Sequence, residues 1–256
     1  MPMSKGKIYM FGCSHTAGHE LGPKNTNPKA FLRARGFDSV EQALLQLSFK
    51  EYDIQIAKPW YKQINNIITP LQSWAGQIAQ KLNMPIVNFA MPGNSFDFQI
   101  NLLMEQINNI DWNKDLVLFG TPISHRYTIK PGLSLVSVQL NHLYANAKKS
   151  QINLLSQVLP SDETMLLHHY GLVTYIKQRY PKVVLCEMCA PGENVENKIF
   201  RIDDQFYVEE SLADFAKKFD DCFYPGKHYK EHIHTKYADY VLQKLTKDKK
   251  YSNIIK

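Results

Sequence analysis

The chain has 256 residues, with 30 Lys plus Arg against 24 Asp plus Glu, giving a formal charge of +6 with nine neutral histidines. A hydrophobic content of 44% beside 21% charged residues can fill a substantial core, which excludes wholesale disorder and a disulfide-stapled miniprotein. The 12 Gly and 13 Pro exclude fibrous and low-complexity classes, and the mild positive balance permits an acidic partner such as nucleic acid or a phosphorylated sugar without requiring one.

In chain order, residues 7–12 (KIYMFG) form a short apolar run ended by glycine and followed by the polar turn Cys13-Ser14-His15-Thr16, the pattern of a central strand running into a functional loop. Residues 22–70 read as an insertion carrying one or two helices, with helical spacing over 40–47. Ser73 is placed to cap a helix whose Trp74, Ile78 and Leu82 share one face, ending near Asn83. A second strand is expected over 84–90 and a second helix over 96–107. A third strand over 115–119 is ended by Gly120. Residues 127–160 read as another excursion, helical over 138–147. A helix over 162–179 leads into a strand over 182–190, and a last amphipathic helix over 237–245 precedes a Lys-rich tail, expected to fray from about 246.

The apolar runs at 7–13, 116–120 and 183–190 have strand length, well short of the roughly 18 to 20 residues that span a bilayer. The N-terminal run is too short for a secretory signal. These features predict a single domain over 1–256, cytoplasmic, with no membrane partner. The alternation of strands and helices, with polar, glycine-bearing loops after the strands, predicts an α/β domain with a largely parallel sheet and its site at the strand C-termini. Four cysteines do not make a disulfide framework, and the Cys186-x-x-Cys189 pair lies in the predicted strand, where a core role outweighs zinc or redox chemistry.

Chemistry concentrates in two loops and a histidine cluster. In the turn from Gly12 to Gly18, a serine entering a helix after a parallel strand is exposed at the sheet edge, close to backbone N–H groups able to hold an oxyanion; a plain capping turn is the competing reading. In the loop from Asn88 to Ser95, Gly93 lets a backbone N–H approach a ligand. The third strand also runs into a polar loop, after Gly120. Three histidines within seven residues, His228, His232 and His234, include a candidate general base; no zinc spacing is present, so no metal and no cofactor is expected.

A serine in Gly-x-Ser-x-x-x-Gly after the first strand, Asn-x-Ala-x-Pro-Gly-x-Ser after the second, glycine closing the third and a C-terminal His before the last helix together resemble the SGNH or GDSL hydrolases. The Gly-Cys-Ser-His-Thr-Ala-Gly loop is similar to divergent versions from tailed bacteriophages. The resemblance covers residues near 7–21, 72–104, 115–126, 182–191 and 222–245. It implies a three-layer α/β/α sandwich, flavodoxin-like, with a mostly parallel central sheet and helical insertions, and hydrolysis or transfer of an ester-linked acyl group.

Residue by residue, Ser14 matches the nucleophile, Gly93 the second oxyanion donor and His228 the catalytic histidine. His15, Asn94, Thr121, Arg126 and His234 are substrate-binding or oxyanion candidates. Where the family has Asp before the nucleophile this chain has Cys13, Pro225 replaces the Asp three residues before the histidine, and the third-block Asn is absent, leaving Thr121, Ser124, His125 and Arg126 as nearby polar substitutes, of which the Arg126 guanidinium can bind an oxyanion or a phosphate. Asp221 or Asp220, or a backbone carbonyl, would then orient His228. The readings left open are a serine esterase or deacylase, an acyltransferase acting on a sugar or nucleotide, and a catalytically silent binding module. Cys13 is a further candidate nucleophile, expected instead to point under the sheet. A small-molecule, carbohydrate or nucleotide ester is the expected substrate; nucleic acid is a permitted partner without a recognisable motif, and oligomeric state is not readable.

Overall fold

The computed structural model describes residues 6–18, 71–91, 94–122, 126–129, 136–139, 162–189, 206–223 and 229–255. In order these hold β1 (Ile8–Gly12), α1 (Ser14–Ala17), α2 (Trp74–Leu82), β2 (Ile86–Asn88), α3 (Phe96–Gln106), β3 (Leu116–Thr121), β4 (Arg126–Ile129), β5 (Val136–Gln139), α4 (Asp162–Arg179), β6 (Val183–Glu187), α5 (Leu212–Ala216) and α6 (Glu231–Lys247). The central sheet has the order β2-β1-β3-β6 and is parallel throughout, with Ile8 level with Ile86 and Leu116, and Gly12 level with Gly120. The chain places β2 on one side of β1 and β3 on the other. Such a reversal is the switch point beside which open parallel sheets bind ligands, beyond the carboxyl ends of the strands.

Both faces of the sheet are covered, so its strands read as continuous apolar runs rather than as alternating ones. Ile8, Met10, Leu116, Leu118, Val184 and Cys186 pack toward α2, α5 and α6. Their sequence neighbours Tyr9, Phe11, Val117, Phe119, Val183 and Leu185 pack toward α3 and α4. The result is the expected three-layer α/β/α arrangement. Burial pushes the Cys186 thiol up to about 12, as expected of a core cysteine. Among the described residues, no helix is long and apolar enough to cross a membrane.

Local signals set the helix ends. Ser73 Oγ accepts from the Gly76 N–H at 3.2 Å and Ser95 Oγ from the Phe98 N–H at 3.3 Å, each satisfying an orphan donor of a first turn. Asn83 ends α2 with φ 51°, donating its N–H to carbonyls of the last turn, a left-handed conformation that Asn tolerates. Helix α2 lies against α6, where Trp74 meets Tyr237 edge-on at 5.8 Å and Lys81 pairs with Asp239.

Four expectations differ from the structure. Strand β3 continues through Gly120 to Thr121, because Gly120 and Thr121 pair with Cys186 and Glu187 of β6. Residues 138 and 139 belong to a strand, in the antiparallel β4–β5 pair, not to a helix. Helix α6 begins at Glu231, and its polar-looking first turns bury Ile233 and His234. The tail is held down: α6 runs to Lys247, a 3₁₀ turn follows at Lys249–Tyr251, and Tyr251 is fully buried, its hydroxyl donating to the Lys182 carbonyl at 3.3 Å. One aromatic anchor offsets the lysines around it. The proposed insertion at 22–70 lies outside the described residues.

Candidate functional site

The serine turn is seated directly on the strand ends. Strand β1 stops at Gly12, whose φ is 142°, and the Cys13 carbonyl accepts from the N–H groups of Thr16 and Ala17 at 3.1 and 2.9 Å. Gly18, at φ 70°, closes the turn by donating to the Ser14 carbonyl. Ser14 is therefore the first residue of α1 and, at 6% exposed, is buried at the strand end, contrary to the expectation of exposure at the sheet edge. Cys13 is buried in the core under α2 and α6, the orientation expected for it.

Thr16 explains the two glycines. A Cβ on Gly120 would collide with Thr16 Oγ1 and lie 2.9 Å from the Met188 side chain; a Cβ on Gly12 would collide with the Gly120 carbonyl oxygen and lie 2.6 Å from Thr16 Oγ1. Absence of side chains at both strand ends is what lets the first turn of α1 sit on β1 and β3.

The second loop is tied to the first through the backbone and one buried amide. The Phe89 N–H donates to Met10 at 2.7 Å and the Met91 N–H to the Gly12 carbonyl at 3.0 Å, so the β1–β2 pairing persists up to the Pro92-Gly93 step. Gln99 of α3, fully buried, accepts from the Gly12 N–H at 2.7 Å and donates to the Phe89 carbonyl at 3.2 Å. Gln99→Leu leaves both backbone groups buried and unpaired, so it should cost about 2–4 kcal/mol; urea denaturation beside the unchanged chain measures this. The readable signal for Gln99 was a polar residue on the stripe of Phe96, Ile100 and Leu103 that faces the core.

Asn94 and Thr121 are both buried, and Asn94 Nδ2 and Thr121 Oγ1 have no hydrogen-bond partner among the described residues. Thr121 follows the level pair Gly12 and Gly120, at the end of the strand beside the serine turn. Arg126 opens β4, and its side chain lies outside the described residues.

Gly93 and His228 also lie outside them, but the chain on both sides of the histidine loop is described. Phe223 and Tyr229 form an antiparallel bridge, the Lys230 N–H donates to the Cys222 carbonyl at 2.9 Å, and Lys230 Nζ pairs with Asp221 at 2.5 Å. The Tyr229 ring lies 5.0 Å from the His15 ring on one side and 4.9 Å from the Phe223 ring on the other. Residue 229 thus packs against the residue that follows Ser14. Burial, reinforced by Cys189, Cys222, Asp214 and Cys13, holds the Tyr229 phenol well above its ordinary value, so it remains a neutral hydroxyl at physiological pH.

Two further candidates have structural partners. His234 Nδ1 accepts from the Trp74 N–H at 3.1 Å, which caps the first turn of α2 and joins it to α6. Asp221 is 80% exposed, and its hydrogen bond with Lys230 holds the carboxyl below the usual range. Tyr229, Phe223, Thr16 and Gln99 were not singled out by sequence reasoning. Their positions depend on which loops meet.

No protein-family model matches this chain, and no curated protein matches it. Among solved structures it is similar to a family two carbohydrate esterase from Clostridium thermocellum in complex with cellohexaose, at 12% identity over 96% of this chain and 65% of that one, with a TM-score of 0.42. An active site mutant of a family two carbohydrate esterase from the same organism is similar at 12% identity over 96% of this chain and 64% of that one, with a TM-score of 0.43. The chain thus spans slightly less than two-thirds of the length of either structure.

Proposed function

We propose that this protein is a serine hydrolase acting on an ester-linked acyl group, with Ser14 as nucleophile and His228 as general base. The observation that carries this reading is the contact of Tyr229 with His15 at 5.0 Å, since it packs the residue after His228 against the residue after Ser14. As the Ser14 Oγ–carbon bond forms, the hydroxyl proton passes to the His228 imidazole, and the carbonyl oxygen takes up the negative charge. Backbone N–H groups of Ser14 and Gly93 would hold that oxyanion, and the Asn94 amide is available as a third donor in place of the family's third-block Asn.

Collapse of the tetrahedral intermediate breaks the carbon–alcohol bond, and the leaving alkoxide takes the proton from His228. Water then repeats the sequence on acyl-Ser14, releasing the acid and the free serine. With Asp221 engaged by Lys230, the reading is of a Ser-His dyad whose imidazole is oriented by a backbone carbonyl. An active-site-directed fluorophosphonate should form one covalent adduct, located at Ser14 by peptide mass spectrometry, and Ser14→Ala should abolish it. A folded wild-type protein that forms no adduct, under conditions that label a control esterase, overturns the mechanism and favours a silent binding module.

A further inference from the structure

We infer that the end of the sheet at which the strands begin, opposite Ser14, is a binding face for single-stranded nucleic acid. The inference goes beyond the hydrolase reading and does not rest on it. Its basis is where the cations find partners. Among the described residues, Lys81, Lys114, Lys217, Lys218, Lys230 and Lys244 each pair with a carboxylate, and Lys236 lies over the Phe219 ring. The described cations without a carboxylate partner gather at one end of the sheet.

Lys7 leads into β1 and Lys182 into β6, and the register sets these strand starts side by side through β3, with Ile8 level with Leu116 and Val117 level with Val183. Lys177 and Arg179 lie in the last turn of α4, Lys247 in that of α6, and Lys249 and Lys250 in the 3₁₀ turn that follows. That turn is fastened to the start of β6: Lys250 Nζ donates to the Pro181 carbonyl at 3.0 Å and the Tyr251 hydroxyl to the Lys182 carbonyl at 3.3 Å. Lys182 Nζ donates in turn to the Trp112 carbonyl at 2.6 Å, which ties in the chain just before β3.

The carboxylates at this end are engaged. Asp111 pairs with Lys114, Asp115 is buried and accepts from the backbone N–H groups of Lys7 and Asp111, and Asp248 accepts from the Tyr207 hydroxyl and the Lys250 N–H. Glu105, exposed near the end of α3, is the exception. With Lys114 included, eight cations stand against these four carboxylates. Attraction to a helix dipole accounts for Lys177, Arg179 and Lys247, but not for Lys7, Lys182, Lys249 and Lys250, which lie outside the α-helices.

Aromatic rings set among the cations select the class of polyanion. The Trp112 and Tyr180 rings lie in planes 3° apart with centroids separated by 6.1 Å, and the Tyr175 ring meets Tyr180 edge-on at 6.4 Å. Tyr175 is 41% exposed and precedes Arg179 by four positions, so the two share one face of α4. A single strand offers phosphates to the cations and uncovered base faces to such rings, whereas a duplex keeps its base faces stacked on one another.

The test titrates the full chain into a fluorescein-labelled oligothymidine of about 20 nucleotides, followed by fluorescence anisotropy at several salt concentrations. Log affinity should fall against log salt with a slope of about −3. Combined Lys177→Ala, Arg179→Ala and Lys249→Ala should flatten that slope by about 2 and weaken binding at least about tenfold at low salt. All three side chains are exposed, so thermal unfolding should stay within a few degrees of the wild type. Tyr175→Ala should weaken binding about tenfold with the slope unchanged, because stacking releases no counterions, and Tyr175→Phe should restore it. Lys217→Ala with Lys218→Ala, which removes cations already paired with Asp214 and Glu210, should change neither affinity nor slope. Absence of binding at low salt, or an equal loss in this control pair, overturns the face. Loss in the triple variant with Tyr175→Ala unaffected overturns the single-strand assignment, as does tighter binding to anionic phospholipid vesicles than to the oligonucleotide.

Discussion

Ser14→Ala and His228→Ala should each lower kcat for a short-chain p-nitrophenyl ester by about a thousandfold or more, and the double variant should be little worse than either alone. Nucleophile and base act as one unit, so once one is gone the other has nothing left to contribute; what remains comes from oxyanion stabilisation and binding. The loss cannot be laid to unfolding in Ser14→Ala. The turn is held by the carbonyls of Cys13 and Ser14, which accept from Thr16, Ala17 and Gly18, and these bonds do not involve the serine side chain. Thermal unfolding followed by circular dichroism should therefore place Ser14→Ala within a few degrees of the wild type. Equal loss in both variants establishes the pair; full activity in Ser14→Ala would remove Ser14 from the mechanism.

Gly12→Ala should be the most damaging single methyl group that can be added near the site. At φ 142° an alanine is strained, at a cost of about 1–3 kcal/mol. Its Cβ collides with the Gly120 carbonyl oxygen, which is backbone of the neighbouring strand, and lies 2.6 Å from Thr16 Oγ1. Relief requires the first turn of α1 to lift off the sheet, and overpacking of this kind adds about 1–3 kcal/mol. A total near 4 kcal/mol corresponds to a fall in Tm on the order of 10 °C for a chain of this size, and ester hydrolysis should fall with it because Ser14 is two residues away.

Gly171→Ala is the matched control. No atom lies within 4 Å of its added Cβ, and it sits in α4, so it should raise stability by about 0.5–1 kcal/mol. Chemical denaturation of the two variants beside the wild type measures both effects. A neutral Gly12→Ala would mean that the strand end and the serine turn move apart freely, contrary to the packing of Thr16.

The four strands of the central sheet were legible because that sheet is buried on both faces, which writes each strand as an uninterrupted apolar run such as IYMF or VVLC; the β4–β5 pair was not. The ends of α2 and α3 were legible because Ser73, Asn83 and Ser95 act locally, within a turn of their own position. The candidate loops followed from those elements, since chemistry in a parallel sheet collects where strands end. Much less legible was anything decided by a partner far along the chain. Gln99 looks like an ordinary helical residue until its amide is seen between Gly12 and Phe89. His234 looks like a substrate-binding or oxyanion candidate until its ring accepts from Trp74. The Lys-rich tail looks frayed until Tyr251 is found in the core.

Sequence alone therefore determined the alternation of strands and helices around the central sheet, the glycine that closes β1, and the residue types available at the sheet's edge, because those depend on periodicity, capping and backbone sterics acting over a few residues. Only the tertiary structure decided which residues meet there: Thr16 on two glycines, Gln99 between two strands, and Tyr229 between His15 and Phe223. Those contacts join residues up to 214 positions apart, from His15 to Tyr229, and short-range propensity carries no information about such pairs. They are settled by which buried polar groups must be satisfied and which rings must pack once the sheet has formed.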